Sequence, residues 1–391
     1  MRGFLKRFHR LAGLATALFL VLAGLTGAVI AWDHELDAAL NPRFFRAPGG
    51  AALPALELAD RLERGDPRLR VTYAPLAVPP GHTWLARVEP RLDPATGRPY
   101  ALGFDQVAVD PATGAIQARR LWGRLSLARE DLLPCLYKLH YSLHLPGTWG
   151  VLLMGCVGLL WTFDCFAALA ASFPSLPAWR RSFRFRFGLG WVRAVFDLHR
   201  SGGVWAWGAL LVLAATSVSM NLGDPVVRPL VGRLSTLAPS PFDPREAGGP
   251  AVDRRGILDA ARAEAARRGW TRPPGGLFLA SGVYGVGFFE PGRDHGDGGL
   301  GNAWLYFRAR DGAPAGAQVP GEGSAGDVFL QAQFPLHSGR ILGLPGRVLV
   351  SALGLAVAAL SATGVALWAR RRYLAWCSKT PFQSSPGGAP R

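Results

Sequence analysis

Four long apolar blocks, residues 11–32, 149–172, 204–222 and 348–368, limit what this chain can fold into. Each is close to the roughly 20 residues that an α-helix needs to cross about 30 Å of hydrocarbon. Between them the chain is polar, so its 49% hydrophobic content is gathered into segments and not spread through one soluble core. That pattern predicts a mainly α membrane protein with four transmembrane helices. The first block follows Arg2, Lys6, Arg7 and Arg10, as a signal peptide would. It is longer than such a peptide's apolar stretch and no small-x-small site closes it, so it reads as a retained span.

Charge sets the orientation. The N-terminal tip is basic, the connection 174–196 carries Arg180, Arg181, Arg184, Arg186 and Arg193 without one acid, and the last block runs into Arg370, Arg371 and Arg372. Basic short loops stay on the cytoplasmic side, which predicts cytoplasmic N and C termini. The net charge of +16 is largely this topology signal, so a nucleic-acid partner is not expected and membrane lipid is. The chain divides into a tip and first span (1–34), an outer module (35–135), a second span (136–173), a basic loop (174–196), a third span (197–222), a second outer module (223–335), a fourth span (336–372) and a tail (373–391).

The spans come in two copies. The offset that lays His9 on His199 also lays Arg10 on Arg200, Gly13 on Gly203, Leu20 on Leu210 and Thr26 on Thr216. A second offset lays Gly147 on Gly343, Gly150 on Gly346 and Gly158 on Gly354. Spans three and four then repeat one and two in the same direction, a duplication found in some membrane proteins. Between the spans, "ALELADRLERGD" and "ILDAARAEAARRGW" have helical amphipathic spacing, and alternating stretches such as "TWLARVEP" and "AWLYFRARDG" follow each. Two small α+β modules are predicted, with the glycine-rich "GRDHGDGGLGN" as a rim or a solvated connector.

The histidines sort into two layers. His9 and His199 fall at the cytoplasmic ends of spans one and three, and His140, His144 and His337 at the outer ends of spans two and four. One imidazole from each repeat per layer could supply both axial ligands of a haem held between helices. Gly13 and Gly203, four residues after His9 and His199, share their helix faces and leave bare backbone where a flat ring could lie. Taken singly, these residues read as well as interfacial caps and close-packing glycines. His140 and His144 are one turn apart, and only His140 has a counterpart in the repeat, which makes His144 a supporting or substrate-side group. Asp164 lies within the second apolar block, where a carboxylate needs a partner; an arginine, a proton role and a haem propionate are the alternatives. His34, His82 and His295 read as solvated. The four cysteines form no C-x-x-C-H and no zinc-type spacing, which argues against covalent haem attachment and structural zinc.

The stretches "FHRLAGLATALFLVLAGLTG", "LHYSLHLPGTWG", "FDLHRSGGVWAW", "FPLHSGRILGLPGR" and "TGVALWARRR" resemble the PepSY-associated transmembrane proteins, often called iron-regulated membrane proteins, which include ferric-siderophore reductases. The resemblance runs through all four spans and is weaker in the outer modules. It implies two PepSY-like periplasmic modules, a bacterial inner-membrane location and b-type haem, two per chain. By position it implies His9, His140, His199 and His337 as ligands; Gly13, Gly203, Arg10 and Arg200 beside them are further cofactor-binding candidates. It further implies reduction of a ferric siderophore or other iron chelate at the periplasmic face. The chain has neither a placed G-x-G-x-x-G nor a P-loop, so the electron donor is expected to be separate, a quinol or a cytoplasmic reductase. Two rival readings stay open: a haem-free scaffold whose modules regulate a peptidase or bind a ligand, and a chelate transporter using Asp164 as a proton relay.

Overall fold

A computed structural model of the chain describes residues 2–378 apart from 174, 176, 178, 243–250 and 297, so most of the tail assigned to 373–391 lies outside the described residues. Its helices, numbered along the chain, are α1 (Arg2–Ile30), α2 (Asp33–Leu40), α3 (Pro42–Phe45), α4 (Ala55–Gly65), α5 (Leu132–Ser142), α6 (Trp149–Ser172), α7 (Trp191–Asp197), α8 (Gly203–Asn221), α9 (Arg228–Gly232), α10 (Arg254–Arg267), α11 (Ala325–His337) and α12 (Leu344–Cys377). The strands are β1 (Leu69–Pro75), β2 (Trp84–Pro90), β3 (Gln106–Val109), β4 (Ile116–Arg120), β5 (Pro274–Ala280), β6 (Val283–Phe288), β7 (Ala303–Arg308) and β8 (Pro314–Gln318).

Among the described residues four helices are long and apolar enough to cross a membrane: Arg2–Ile30, Trp149–Ser172, Trp191–Asn221 and Leu344–Cys377. In their most apolar windows only 28, 39, 28 and 22% of residues are buried against protein. The remaining apolar surface needs a hydrocarbon solvent, which makes this a multi-pass membrane protein. In the third of these helices α7 passes into α8 through a π-helical turn at Leu198–Gly202, and this turn carries His199. Such turns are rare and cluster at functional sites.

The chain forms two compact units, one from Met1–Leu25, Cys156–Ala215 and Ala352–Arg391, the other from Thr26–Gly155 and Thr216–Ser351. The first is helical. Within it, any side chain added at Gly24 would overlap the Gly354 carbonyl, so this glycine sets the close approach of α1 to α12. The Trp207 indole donates to the Cys165 carbonyl at 2.9 Å, tying α8 to α6.

The second unit is built on an eight-stranded antiparallel sheet in the order β4-β3-β2-β1-β5-β6-β7-β8. Each half is a helix followed by a four-strand meander. Leu58, Ala59 and Leu62 of α4 cover Val71, Trp84 and Val107, while Ile257, Leu258 and Ala261 of α10 cover Leu277, Val286 and Leu305. The two modules predicted from the sequence share this one sheet, because β1 pairs with β5 through Tyr73↔Phe278, Ala74↔Leu277 and Pro75↔Gly276. Pairing satisfies backbone groups that two separate modules would each have left along an open edge. Helix α11 opens with a reciprocal cap, Ser324 Oγ accepting from Asp327 N and the Asp327 carboxylate accepting from Ser324 N. Ser324→Ala is expected to cost about 1 kcal/mol of stability, read as a lowered thermal midpoint in detergent.

The starts of spans two and four differ from the sequence reading, which carried each span back through its histidine. His140 sits on α5 and His337 ends α11, and each is separated from the long helix that follows by a tight turn. Leu143 (φ 53°), His144 (φ 56°) and Gly147 (φ 57°) make the first turn, and Gly339 (φ 73°) and Gly343 (φ 62°) the second. These left-handed conformations end a helix. A Cβ at Gly150 would overlap the Ser142 carbonyl, and one at Gly346 the Gly339 carbonyl, so both turns close on backbone.

Candidate functional site: two histidine pairs

The four histidines singled out by their repetition come together two by two. In the first unit the His9 and His199 rings lie with centroids 6.1 Å apart and planes inclined by 38°. In the second unit His140 and His337 lie 6.2 Å apart and inclined by 56°. With metal–nitrogen bonds of about 2 Å and each ring centre ~1 Å behind its nitrogen, two imidazoles on opposite sides of one metal have centroids about 6 Å apart. Both pairs have this spacing.

Hydrogen bonds at Nδ1 orient each ring. His9 Nδ1 lies 3.0 Å from both carboxylate oxygens of Asp164. His199 Nδ1 lies 2.9 Å from the Leu360 carbonyl and 3.2 Å from Thr363 Oγ1, whose own hydroxyl donates to the Ala359 and Leu360 carbonyls. Carboxylates and carbonyls only accept, so the proton of each neutral imidazole is on Nδ1 and the lone pair is on Nε2. His140 Nδ1 meets Thr26 Oγ1, and His337 Nδ1 meets Thr216 Oγ1, both at 3.0 Å. Each of the four long apolar helices therefore supplies one side chain that holds a histidine from another helix: Thr26, Asp164, Thr216 and Thr363. Supports of this kind fix ring orientation and raise the donor strength of a metal-bound imidazole.

Glycines complete two of the cradles. A Cβ at Gly27 would lie 3.0 Å from His140 Cε1, and one at Gly364 would lie 3.0 Å from His199 Cε1. Thr26-Gly27 and Thr363-Gly364 thus do one job each, with the hydroxyl holding the ring nitrogen and the bare glycine admitting the ring edge. Gly13 and Gly203 are different. A Cβ at Gly13 meets nothing within 4 Å, and one at Gly203 meets only Leu360 Cδ2, at 3.9 Å. Neither makes a close helix contact, in contrast to Gly24.

Other candidates take other places. Asp164 partners His9 and not an arginine. His144 does not share a helix face with His140, because α5 ends at Ser142; its Nε2 donates back to the Cys135 carbonyl at 2.9 Å and fastens the turn. Arg10 is exposed. Arg200 folds onto the Arg181 carbonyl and the fully buried Asp197, which also takes a two-pronged bond from Arg186 at 2.9 Å and one from Arg193 at 3.3 Å. This arginine cluster pins the basic loop beside His199. His82 bonds the Pro80 carbonyl at 3.1 Å, while His295 pairs with Asp294. Sequence reasoning missed the roles of Thr26 and Thr216, although the offset that aligned His9 with His199 had already aligned them.

Among the described residues no group of three or more His, Cys, Asp or Glu gathers as a metal site. A metal at either pair would have to bring most of its ligands with it, as the iron of a tetrapyrrole does. The two-imidazole spacing, the Nε2 lone pairs at His9 and His199 and the open backbone at Gly13 and Gly203 fit such a group. A family model described as PepSY-associated TM region matches residues 6–371. Curated proteins include no match to the chain.

Proposed function

Because the chain belongs to the family of the PepSY-associated TM region, we propose that it is a b-type di-haem electron-transfer protein of the bacterial inner membrane that reduces ferric chelates, ferric siderophores above all, at the periplasmic face. The observation that carries this reading is the pair of imidazole pairs at 6.1 and 6.2 Å, a spacing that would let both rings of each pair hold one iron. His9 and His199 would hold one haem, His140 and His337 the other. Bound haem supplies one-electron redox chemistry. The chain's own residues do the rest: Asp164, Thr363 and Leu360, with Thr26 and Thr216, fix the rings, and the apolar helices keep bulk water away. Two same-direction repeats are supported by the matching positions of Thr26 and Thr216, Gly147 and Gly343, and Gly150 and Gly346. The basic tip and loop favour cytoplasmic termini. The electron donor would be a separate quinol or cytoplasmic reductase, the two histidine pairs would hold the groups that supply one-electron chemistry, and the chelate would bind against the PepSY-like modules.

Visible spectra of purified protein with and without dithionite test the reading. A low-spin b-type spectrum with about two haems per chain is expected. Colourless, folded protein from haem-replete cells would overturn it and favour the scaffold or transporter readings.

A further inference from the structure

The glycine-rich segment between β6 and β7 is not a plain connector. Asn302 Nδ2 donates to the Arg293 carbonyl at 2.7 Å and the Asp294 carbonyl at 3.0 Å, closing the segment on itself. Gly299 N donates to the Ile341 carbonyl at 3.0 Å, which ties the segment to the turn just after His337. The segment presents a histidine–carboxylate pair that the haem reading does not use, His295 Nδ1 lying 2.9 Å from Asp294 Oδ1.

Charged and titratable groups from three other elements act electrostatically on this pair. Asp33 and His34 come from α2, with His34 acting on Asp294 and Asp33 on His295. Arg340, three residues past His337, acts on His295 and lies 3.8 Å from Asp33. Tyr73 of β1 feels the Asp294 charge. The pair nonetheless stays open, with 50% of the His295 side chain and 38% of the Asp294 side chain accessible. An accessible imidazole, held by a carboxylate on a segment tied to the turn after His337, suits hydrogen bonding to a small oxygen-rich ligand. The Asp294 hydrogen bond raises the His295 pKa, with burial opposing; burial pushes Asp294 up, but His295 more than offsets this and holds its carboxyl at about 2.

We propose that His295, oriented by Asp294, is the proton donor to an oxygen-donor ferric chelate during its reduction, an inference that rests on the reductase reading above. One electron, delivered from the quinol or cytoplasmic reductase, converts iron(III) to iron(II). One iron–oxygen bond breaks, and the proton on His295 Nε2 moves to the released oxygen to form O–H. The imidazolium becomes neutral imidazole and takes a proton back from periplasmic water. Asp294 holds Nδ1–H throughout, so Nε2 is the nitrogen that exchanges.

The sign of the pH dependence follows. A raised histidine pKa keeps the donor protonated to higher pH, so the assisted rate is full below that pKa and falls as pH rises through it. The test uses full-length, prereduced haem protein in detergent, with iron(III) acetohydroxamate as substrate and the redox-inert gallium(III) complex as binding probe. His295→Gln is expected to lower the rate by about a hundredfold below the wild-type limb and to flatten that limb. Asp294→Asn should move the limb to lower pH. Gallium complex binding, followed by tryptophan fluorescence, should be unchanged in both. A His295→Gln protein with the wild-type pH limb overturns the proposal alone, as does loss of gallium binding in step with rate. A wild-type haem protein that reduces no ferric chelate overturns the reductase reading together with it.

Discussion

His337→Ala is expected to remove the cofactor from the His140–His337 pair and leave the His9–His199 pair loaded, halving haem per folded chain. His199→Ala should do the converse. Each pair has its own imidazoles and its own Nδ1 partners, Thr26 and Thr216 for one, Asp164, Leu360 and Thr363 for the other. Sites without shared partners respond independently. Redox titration followed in the visible spectrum should resolve two components in the wild type and one in each variant. Thr216→Val removes only the support and should weaken retention at its own site by about 10- to 100-fold instead of abolishing it. Retention of both haems in either alanine variant would show that the pairs are not the ligands.

Asp37→Ala is expected to produce the largest loss of stability away from the histidines. Asp37 on α2 takes both Arg120 nitrogens, Nη2 at 2.6 Å and Nη1 at 3.0 Å, and the side chains are only 8 and 4% accessible. Arg120 is held further by Gln106 Oε1 at 2.7 Å and lies over the Phe44 ring at 4.6 Å, and Asn41 donates to Asp37 at 2.7 Å. Removing the carboxylate strands a buried guanidinium, at a cost of about 3 to 5 kcal/mol. Thermal unfolding in detergent should show a clear drop in midpoint for Asp37→Ala. A double change of Asp37 and Arg120 to apolar residues should recover part of it, because no unpaired charge then remains.

The spans were legible because crossing hydrocarbon demands a run of apolar residues and little else produces one. The histidine pairs were legible because matching sequence offsets write each histidine twice. Their acceptors were harder to see: which side chain meets His9 depends on the registry of α1 against α6, 155 positions along the chain. The breaks after His140 and His337 were written in Pro146-Gly147 and in Gly339 and Gly343, but they fall inside runs whose apolar character reads as continuous helix. The single sheet had no local sign, since the β1–β5 pairing joins strands about 200 residues apart. The histidine on the glycine-rich segment was read as solvated because its neighbours come from distant elements.

The unequal supports of the two pairs set a direction. A carboxylate behind His9 pushes more electron density toward a bound metal than the neutral hydroxyls of Thr26 and Thr216 behind His140 and His337. Density of that kind favours oxidised iron and lowers its reduction potential. On the di-haem reading proposed above, an electron at the Asp164-backed pair would therefore lie higher in energy than one at the threonine-backed pair. With one acid in place of a threonine, two otherwise similar histidine pairs would then, on the proposed di-haem reading, favour transfer in one direction without a moving gate.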